Sequence, residues 1–500
     1  MESFLEMLNK FYEYEKNITE ETRTKLGIVY TPPHIVDWIN NRVLSLWDKP
    51  NPPKIIDPCC GTGVFLYDMA RKISLRWGID FEKTCKDYIF GSDLDEDAVR
   101  IGRKLLPKAN FVVADGLTVN LSDYDVVVTN PPYIRIQNLD ERTRKNISSN
   151  FLCCKGDTDI YVAFFEKIIR SEVIAGFICP NSWRKNKFGK ALRSLVRDSG
   201  RIDSIIDFKS KKVFDGVGTY TSILVVDNKK TTTAQAGNNL ESLSDLSTSD
   251  LFVEDTLLID RSERDFVSEV LSREKSILDF CDIKVGLATL CDSVFLLELV
   301  STQHRDDKGV KVSLVKERKK NSIPFMIEDS ILVKCHKAGE ITKNPNKKYV
   351  IIYPYDKKGK TISEDSFSQN YPIAYDYLLS NKEKLLKRDK GKSKNYAWYA
   401  YGRTQALSLI EKSKLVFPTM IKDKMYLRES KQGEVFISGY CVIPKKLITN
   451  ADIENIFLSS DMLKWIRVFG KSMGAEWLGI SKETFVKYRI NPAHVLQKTS

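Results

Sequence analysis

The stretch Asn130-Pro131-Pro132-Tyr133 follows directly on the apolar run 124–129, and that run predicts a buried β-strand. An amide, two rigid residues and an aromatic ring therefore stand at the carboxyl end of a strand, where open α/β sheets bind their ligands. The asparagine offers a carbonyl oxygen that can accept an N–H, and neither proline has an N–H to compete. Because a proline holds the preceding residue extended, we expect a stiff loop. Taken alone, the motif also fits a proline-stiffened turn that merely ends a strand.

The ring of Tyr133 indicates the kind of ligand that this loop would take. A tyrosine ring is a flat surface on which a nucleobase can stack. Beside it, the Asn130 side-chain oxygen and the Pro131 carbonyl can accept the two N–H bonds of an exocyclic amino group. The chemistry that suits these four residues is methylation of a planar, poorly nucleophilic –NH2 group.

The chain between about residues 27 and 228 alternates apolar strands with helical patterns. Such alternation predicts an α/β fold with a largely parallel sheet that is covered on both faces. The predicted strands are 54–56, 88–92, 110–113, 125–129, 175–179, 204–208 and 221–226.

A glycine-rich loop joins the first predicted strand to a helix and has the sequence Asp57-Pro58-Cys59-Cys60-Gly61-Thr62-Gly63. Its glycines permit a tight turn and a close approach of the backbone to a ligand, which the free N–H groups of the helix start would bind. The pattern lacks the third glycine of pyrophosphate-binding loops. A carboxylate-bearing ligand with a positive centre, such as S-adenosyl-L-methionine, therefore fits better, and a purely structural glycine turn is the alternative.

Two further predicted strands are followed by acids. Asp93 closes the second strand, where a carboxylate can accept both ribose hydroxyls of a nucleotide. Asp115 follows the third strand, where a carboxylate can accept from an adenine amino group. Taken singly, Asp93 fits a cap of the helix 95–105 equally well, and Asp115 fits a turn. Three consecutive strand ends with acids, followed by Asn-Pro-Pro-Tyr on the fourth, favour a cofactor site.

A chain of 500 residues is too long for one core, so we expect two domains. The net charge of +12 is unevenly distributed: residues 1–250 carry 35 Lys and Arg against 34 Asp and Glu, and residues 251–500 carry 43 against 32. A basic domain beside a neutral one is typical of a polyanion-binding protein, although a solvated basic surface without a partner fits as well. We predict a catalytic domain at 1–235, a polar linker at 236–255 and a second domain at 256–500.

No run of about 18 apolar residues exists, and the N-terminus lacks the basic and apolar regions of a signal peptide. We therefore expect a cytoplasmic, prokaryotic protein that associates with the nucleoid. The ten cysteines show no paired Cys-x-x-Cys spacing, so we expect reduced thiols and no metal site.

In this order, the motifs resemble those of the gamma-class, Taq-like DNA adenine-N6 methyltransferases of restriction–modification systems. The likeness includes an upstream segment, 30–36 (Tyr-Thr-Pro-Pro-His-Ile-Val), and a later one, 156–161 (Gly-Asp-Thr-Asp-Ile-Tyr). It implies a Rossmann-like class I methyltransferase sheet followed by a mixed α/β target-recognition domain. It also implies S-adenosyl-L-methionine as the cofactor, double-stranded DNA as the partner, and N6 of a flipped-out adenine as the methyl acceptor.

The same resemblance assigns roles to individual residues. The implied catalytic residues are Asn130, Pro131, Pro132 and Tyr133. Phe214 would stack on the target base opposite Tyr133. The implied cofactor-binding residues are Thr31, Asp57, Cys59, Gly61, Gly63, Asp93, Asp115 and Pro132.

In the C-terminal half, cations and aromatic rings interleave between residues 385 and 403. Such a mixture suits contacts with phosphates and with a DNA groove, although a lysine-rich loop beside an aromatic core strand has the same composition. The candidate DNA-binding residues are Lys387, Arg388, Lys392, Tyr399 and Arg403, the last as a bidentate guanine contact. Two short segments, 285–289 and 401–403, resemble elements of the family's recognition domains.

Other functions stay open at this point. An RNA adenine-N6 or guanine-N2 methyltransferase would use the same sheet, and a protein glutamine methyltransferase also uses Asn-Pro-Pro-Tyr but needs little beyond the sheet. Cytosine-N4 enzymes more often have serine at position 130. A cytosine-C5 enzyme would need a Pro-Cys nucleophile at this strand end, whereas Pro58-Cys59 lies in the glycine-rich loop. A DNA-binding protein with an inactive pocket is a further class, against which the intact acids argue.

We expect a monomer, because a non-palindromic or hemimethylated site needs only one active site. A fused nuclease is not expected, since only about 29 residues precede the cofactor region and no Pro-Asp…Glu-x-Lys pattern occurs. A separate cognate restriction endonuclease, against which the methylation would protect, is compatible with the sequence.

Overall fold

The structure is a computed structural model of the chain. It describes residues 4–19, 21, 23, 27, 29, 31–156, 158–209, 211, 213–214, 220–341, 344, 346–388, 397–404, 406–446, 448–473 and 476–492. The chain divides into two compact units, Met1–Ser268 (unit 1) and Glu269–Ser500 (unit 2). The division falls inside the helix Arg261–Ser272.

Unit 1 is built on a nine-stranded sheet. Its strands are β1 (Ile55–Asp57), β2 (Ile89–Asp93), β3 (Asn110–Val113), β4 (Val126–Thr129), β5 (Ile174–Pro180), β6 (Ile202–Asp207), β7 (Thr221–Val226), β8 (Thr233–Gly237) and β9 (Leu243–Ser247). They lie in the order β3-β2-β1-β4-β5-β7-β6-β8-β9. Neighbours from β3 to β5 are parallel, and β7 is antiparallel to both β5 and β6. The predicted α/β fold is confirmed, and all seven predicted strands are present with small shifts at their ends.

Helices pack against both faces of this sheet through two apolar clusters. The helices of unit 1 are α1 (Phe4–Asn17), α2 (Pro33–Ser45), α3 (Val64–Trp77), α4 (Phe81–Tyr88), α5 (Glu96–Leu105), α6 (Glu141–Asn150), α7 (Tyr161–Arg170) and α8 (Lys190–Ser199), followed by α9 (Arg261–Ser272), which continues into unit 2. In β4, Val126 and Val128 pack into one apolar cluster and Val127 packs into another. A strand buried on both faces reads as a continuous apolar run, which is why its sequence lacks alternation.

Local sequence explains where two of the helices begin. α2 starts at Pro33, and a proline fits the first helical turn because its missing N–H would have no partner there. α3 follows Gly63, whose φ of 99° lies in the left-handed region. A Cβ atom on Gly63 would also lie 2.7 Å from the ring of Phe111, so this position requires glycine for two reasons.

The predicted linker 236–255 differs from the structure. This segment contains part of β8, all of β9, and β10 (Phe252–Val253), which pairs with β11 (Thr256–Leu257). β8 runs parallel to β6 and antiparallel to β9, so the segment extends the sheet of unit 1. The serine-rich composition hides this role, because an edge strand such as β9 needs few apolar side chains.

Unit 2 consists mainly of antiparallel sheets with helices around them. The strands are β12 (Lys275–Ser276), β13 (Cys281–Val285), β14 (Leu296–Arg305), β15 (Lys311–Lys316), β16 (Phe325–Glu328), β17 (Leu332–Lys337), β18 (Tyr349–Ile352), β19 (Lys414–Pro418), β20 (Met420–Ile421), β21 (Arg428–Ser430), β22 (Val435–Ile437), β23 (Gly439–Pro444), β24 (Lys471–Ser472), β25 (Leu478–Gly479) and β26 (Arg489–Ile490). The sheets have the orders β13-β23-β19-β21, β16-β15-β14-β18-β17-β22, β20-β25-β24 and β12-β26.

The helices of unit 2 are short. They are α10 (Ile277–Phe280), α11 (Asp292–Phe295), α12 (Glu364–Asn370), α13 (Pro372–Ser380), α14 (Lys382–Leu386), α15 (Asn450–Phe457), α16 (Ser460–Phe469) and α17 (Lys482–Val486). The mixture of helices and strands agrees with the mixed α/β second domain that the resemblance implied. In the described part of the chain, no helix is long and apolar enough to cross a membrane.

Candidate active site

The carboxyl ends of β1 to β4 meet at one edge of the unit 1 sheet, because these neighbouring strands are parallel. Asp57 ends β1, Asp93 ends β2, and Asn130 follows β4 directly. The strand order reverses between β1 and β4. Open α/β sheets bind ligands at such switch points, so the predicted residues lie where this topology offers a crevice.

Asp93 fastens the glycine-rich loop to β2. Its Oδ2 accepts a hydrogen bond from the Gly61 N–H at 2.7 Å, and its Oδ1 accepts from the Asp95 N–H at 3.0 Å. The cap of α5 is Asp95, whose side chain accepts from the N–H groups of Asp97 and Ala98. The alternative of Asp93 as the helix cap is therefore wrong, and its carboxylate instead holds the glycine-rich loop.

Asp57 is buried beneath the same loop and accepts a hydrogen bond from the Cys59 N–H at 3.0 Å. Burial raises the pKa of the Asp57 carboxyl to about 7, and the nearby charge of Asp93 also raises it. Burial likewise raises the pKa of Asp93. Because burial penalises both negative charges, a ligand with a positive centre gains by binding beside them. The site therefore fits S-adenosyl-L-methionine.

The loop after β3 packs directly on the loop after β1. A Cβ atom on Gly116 would lie 1.9 Å from the Pro58 carbonyl oxygen, so only glycine permits this approach. Asp115, next to it, accepts a hydrogen bond from the Leu117 N–H at 2.9 Å. The turn predicted as the alternative for Asp115 is thus present, and it holds the carboxyl group near the glycine-rich loop.

The side-chain amide of Asn130 is held by its nitrogen. Nδ2 donates to the Val29 carbonyl at 2.9 Å and to the Thr31 hydroxyl at 2.9 Å. The amide oxygen, Oδ1, is buried and has no hydrogen-bond partner among the described residues. A buried acceptor without a partner is costly, and such an atom in a crevice marks a place where a ligand donor belongs.

The upstream segment contacts the Asn130 loop through backbone groups that sequence analysis missed. The Tyr133 N–H donates to the Gly27 carbonyl at 3.3 Å, and a Cβ atom on Gly27 would lie 2.6 Å from Ile134. Gly27 has a φ of 64°, a left-handed conformation that favours glycine, so the glycine itself was the signal that the sequence offered. The Val29 carbonyl is a backbone group, so no side chain in the sequence indicates its contact with Asn130. Tyr30 lies outside the described residues.

Tyr133 and Phe214 are adjacent, but they do not form a slot for a base. Their ring centroids are 6.3 Å apart and their planes are tilted by 53°. A base between two parallel rings needs a separation of about 7 Å, twice the ~3.5 Å of one stacking contact. Phe214 is 2% exposed and packs in the apolar core. The predicted sandwich is not assembled, because the second ring contributes to the core instead.

The segment 156–161 lies against the Asn130 loop. The Ile160 N–H donates to the Ile134 carbonyl at 2.8 Å, and Asp159 forms an isolated bridge with Arg135. The ring of Tyr161 is 6.3 Å from that of Tyr133. Two motifs that are separate in sequence thus form one wall, whereas Asp157 lies outside the described residues.

In unit 2, Arg388 is committed to the fold. Its guanidinium donates to the carbonyls of Leu385, Ala400, Trp398 and Thr289 at 2.6, 2.7, 2.7 and 3.2 Å. Burial lowers its pKa. Four of the five N–H donors of this side chain are used internally, so the structure contradicts the prediction that Arg388 contacts DNA.

The other candidates of this region divide into two groups. Tyr399 is 2% exposed, donates to the Ile362 carbonyl at 2.6 Å and packs in the core, so its prediction as a DNA contact is wrong. Lys387 and Arg403 are exposed and keep that prediction. Lys392 lies outside the described residues.

The segments 285–289 and 401–403, predicted separately, meet in space. The Arg403 N–H donates to the Ala288 carbonyl at 3.1 Å, and the Gly402 N–H donates to the Thr289 carbonyl at 3.2 Å.

Among the residues that the structure describes, no group of three or more His, Cys, Asp and Glu side chains is placed to hold a metal ion.

Comparison with known proteins finds methyltransferases of restriction–modification systems among the relatives. A family profile described as Eco57I restriction-modification methylase matches residues 103–214. The chain is 23% identical to the type II methyltransferase M.BstVI of Geobacillus stearothermophilus, over 90% of this chain and 86% of that protein. It is also 23% identical to the type II restriction enzyme and methyltransferase RM.Eco57I of Escherichia coli, over 68% of this chain and 37% of that protein.

Among solved structures, the type IIL restriction-modification enzyme MmeI in complex with DNA is similar, with a TM-score of 0.63. The similarity covers 96% of this chain and 70% of that chain at 14% sequence identity. At that identity the likeness is one of fold, and it agrees with the α/β architecture described above.

Proposed function

We propose that this chain, a methyltransferase of the restriction–modification type, methylates N6 of an adenine that is flipped out of duplex DNA at a specific site. The observation that carries the proposal is the buried oxygen of Asn130, which lacks a partner while its nitrogen is fixed by Val29 and Thr31. An adenine amino group offers the N–H that this oxygen needs.

The chain's own groups prepare the nitrogen for reaction. The lone pair of N6 is delocalised into the base until the nitrogen becomes tetrahedral. The Asn130 oxygen and the Pro131 carbonyl accept the two N6–H groups and stabilise the positive charge that develops on nitrogen. When bound, S-adenosyl-L-methionine supplies an electrophilic methyl group. The methyl group would bond to N6 as its bond to sulfur broke, with the bonding pair left on sulfur. The two acceptors would stabilise the charge on N6 until the nitrogen released a proton to solvent.

The remaining residues of the crevice hold the reactants. Tyr133 offers the flipped base a stacking surface, and Pro132 keeps the loop rigid. Gly61 and Gly63 bring the helix start of α3 close to the cofactor, and Asp93 and Asp115 accept from its ribose and adenine groups. Thr31 and Cys59 complete this lining. Together with Asp57, these residues form the proposed cofactor site.

A covalent cytosine-C5 mechanism receives no support from Cys59. Its thiol would have to ionise in order to attack a base, but burial raises its pKa well above the ordinary value. The relatives, which are named type II methyltransferases, also favour DNA over RNA as the substrate. Unit 2 would then supply target recognition, with Lys387 and Arg403 among its DNA contacts.

We extend the proposal to the partners of this enzyme. A monomer acting on duplex DNA is sufficient, because one crevice methylates one strand at a time. A separate restriction endonuclease would share the recognition site and be blocked by the methyl group. In support, RM.Eco57I is named as both a restriction enzyme and a methyltransferase, whereas M.BstVI is named as a methyltransferase.

The test is modification-sensitive sequencing of the genome of a methylation-free host that expresses this chain. We expect N6-methyladenine at one recurring motif with the native protein and with Asn51→Ala, which alters an exposed asparagine. The Asn130→Ala variant should bind S-adenosyl-L-methionine yet leave the genome unmethylated. Methylation by Asn130→Ala, or a clean genome from native protein that binds the cofactor, would overturn the proposal.

A further inference from the structure

A cleft of about 780 Å³ opens in unit 1 beside the 156–161 segment. One wall is the loop that contains Leu152, Lys155 and Gly156, and the other runs from Lys187 into the start of α8 at Lys190. The cleft is large enough for several groups of a polymer, and Leu152, Phe188 and Ala191 make part of its lining apolar. No step of the proposed methyl transfer uses it.

Three lysines, Lys155, Lys187 and Lys190, give the cleft a positive charge. Lys155 and Lys187 are exposed, and neither has an ion-pair partner among the described residues. The Nζ atom of Lys190 lies 3.8 Å from the Asp255 carboxylate, which is a long ion pair. No Asp or Glu occurs among the described residues that line the cleft. Like charges gathered in a cleft focus the electrostatic field and attract an anion.

The walls of the cleft continue into the crevice. Lys155 precedes Asp159 by four residues, so its backbone lies within about 14 Å of the bridge between Asp159 and Arg135. On the other side, Asn186 lines the cleft, and its N–H donates to the Ser182 carbonyl at 3.0 Å. The Ser182 hydroxyl in turn lies 3.4 Å from the Tyr161 hydroxyl. The cleft therefore adjoins the loop that would receive the flipped base.

We propose that Lys155 and Lys187 bind backbone phosphates of the DNA strand next to the flipped adenine. The inference rests on the proposed function, and it assigns part of the DNA-binding surface to unit 1 as well as to unit 2. Phosphate contacts of this kind position a duplex without reading its sequence. The apolar part of the lining would contact the sugars of the same strand.

The test uses full-length protein and a fluorescent duplex of mixed sequence, with affinity measured between about 50 and 200 mM salt. Each phosphate contact contributes about 0.9 to the slope of log K against log salt. The Lys155→Gln, Lys187→Gln double variant should therefore have a shallower slope, lower in magnitude by about 1.8. The matched control, Lys83→Gln with Lys86→Gln, removes the same charge from exposed positions of α4 and should keep the native slope.

Two further measurements keep the outcome clear. Cofactor binding by the double variant shows that unit 1 is folded, and the Lys155→Arg, Lys187→Arg variant should restore the native slope. A double variant with the slope of the control would overturn the inference, whether or not the native protein methylates DNA. A reduced slope in a protein that methylates no DNA would support the cleft and refute the proposed function instead.

Discussion

The side-chain amide of Asn130 donates a hydrogen bond of 2.9 Å to the hydroxyl oxygen of Thr31. The same nitrogen also donates to the Val29 carbonyl, an atom that can only accept, so the orientation of the amide is fixed. The oxygen Oδ1 must then face away from the upstream segment. The segment that the resemblance assigned to the cofactor thus also positions the group that would activate the target base.

Thr31→Val should slow methyl transfer at saturating cofactor, because valine keeps the shape of the side chain and removes the acceptor. The loss of one hydrogen bond is worth about 1 kcal/mol, which corresponds to a rate roughly fivefold lower. Thr31→Ser retains a hydroxyl and should keep most of the rate. Single-turnover methylation of a duplex measures both variants.

The concentration dependence of the rate separates positioning from cofactor contact. If Thr31 only touched the cofactor, Thr31→Val would raise KM for S-adenosyl-L-methionine and leave the saturated rate unchanged. That result would contradict a positioning role for the hydroxyl.

Tyr133→Ala should weaken base flipping, whereas Tyr133→Phe should preserve it. The ring would stack on the base, and such stacking is worth about 1–3 kcal/mol per base. The hydroxyl makes only a 3.4 Å contact with the Ile178 carbonyl, so its removal should matter little. A fluorescent base analogue at the target position reports flipping, and full enhancement with Tyr133→Ala would refute the stacking role.

Phe214→Ala provides the contrast to Tyr133→Ala. Since Phe214 is buried in the core, its truncation should lower the free energy of unfolding by about 3–5 kcal/mol. Flipping by the folded fraction should be unaffected. If the variant kept native stability and lost base flipping, the result would instead support the stacking role that the resemblance implied for Phe214.

The polar residues at the strand ends could be predicted because each follows a run that predicts a strand. Asp57, Asp93 and Asn130 needed no tertiary information beyond the rule that parallel strands share an edge. The groups that hold these side chains in place could not be predicted in this way. The Val29 carbonyl that holds Asn130 belongs to the backbone, and the sequence contains no sign of a backbone acceptor's position.

The two failed predictions of DNA contacts have a common physical cause. Arg388 and Tyr399 were predicted as DNA contacts because cations mixed with aromatic rings suit nucleic acids. The same mixture arises where an arginine satisfies carbonyl groups beside an aromatic core, and composition cannot separate the two. The strand β8 was missed for a related reason, since its small residues resemble those of a linker.

The stability of the cofactor-free protein should fall as pH rises from about 4 to about 7, in part because of Asp57. Burial raises the pKa of this carboxyl from 3.8 to about 7. In that window the folded chain holds a proton that the unfolded chain has released. The stabilising contribution of this carboxyl to the free energy of unfolding is therefore complete below pH 3.8 and is lost as pH passes 7. Urea unfolding at a series of pH values measures the effect.

Asp57→Asn should remove this part of the pH dependence, because asparagine keeps the acceptor for the Cys59 N–H and does not titrate. The exposed Asp250→Asn serves as the matched control and should follow the native protein. Equal pH slopes for the native protein and Asp57→Asn would show that the buried carboxyl does not contribute.

Arg388→Lys should destabilise the protein while leaving its DNA affinity unchanged. Lysine keeps the positive charge but cannot donate to four carbonyls at once, and each buried acceptor left without a partner costs about 1–3 kcal/mol. Arg403→Gln alters an exposed side chain, so its effect on stability should stay within about 0.5 kcal/mol. Its affinity for duplex DNA should fall, because a candidate contact is lost.

Urea unfolding and duplex binding at fixed salt, measured on both variants, separate an arginine of the fold from an arginine of the interface. If Arg388→Lys kept native stability and lost DNA affinity, its guanidinium would have to leave the carbonyls in order to bind DNA. The side chain would then switch between two sets of acceptors, since four of its five donors are engaged in the structure. The expected result, lost stability with native affinity, follows from those four hydrogen bonds alone.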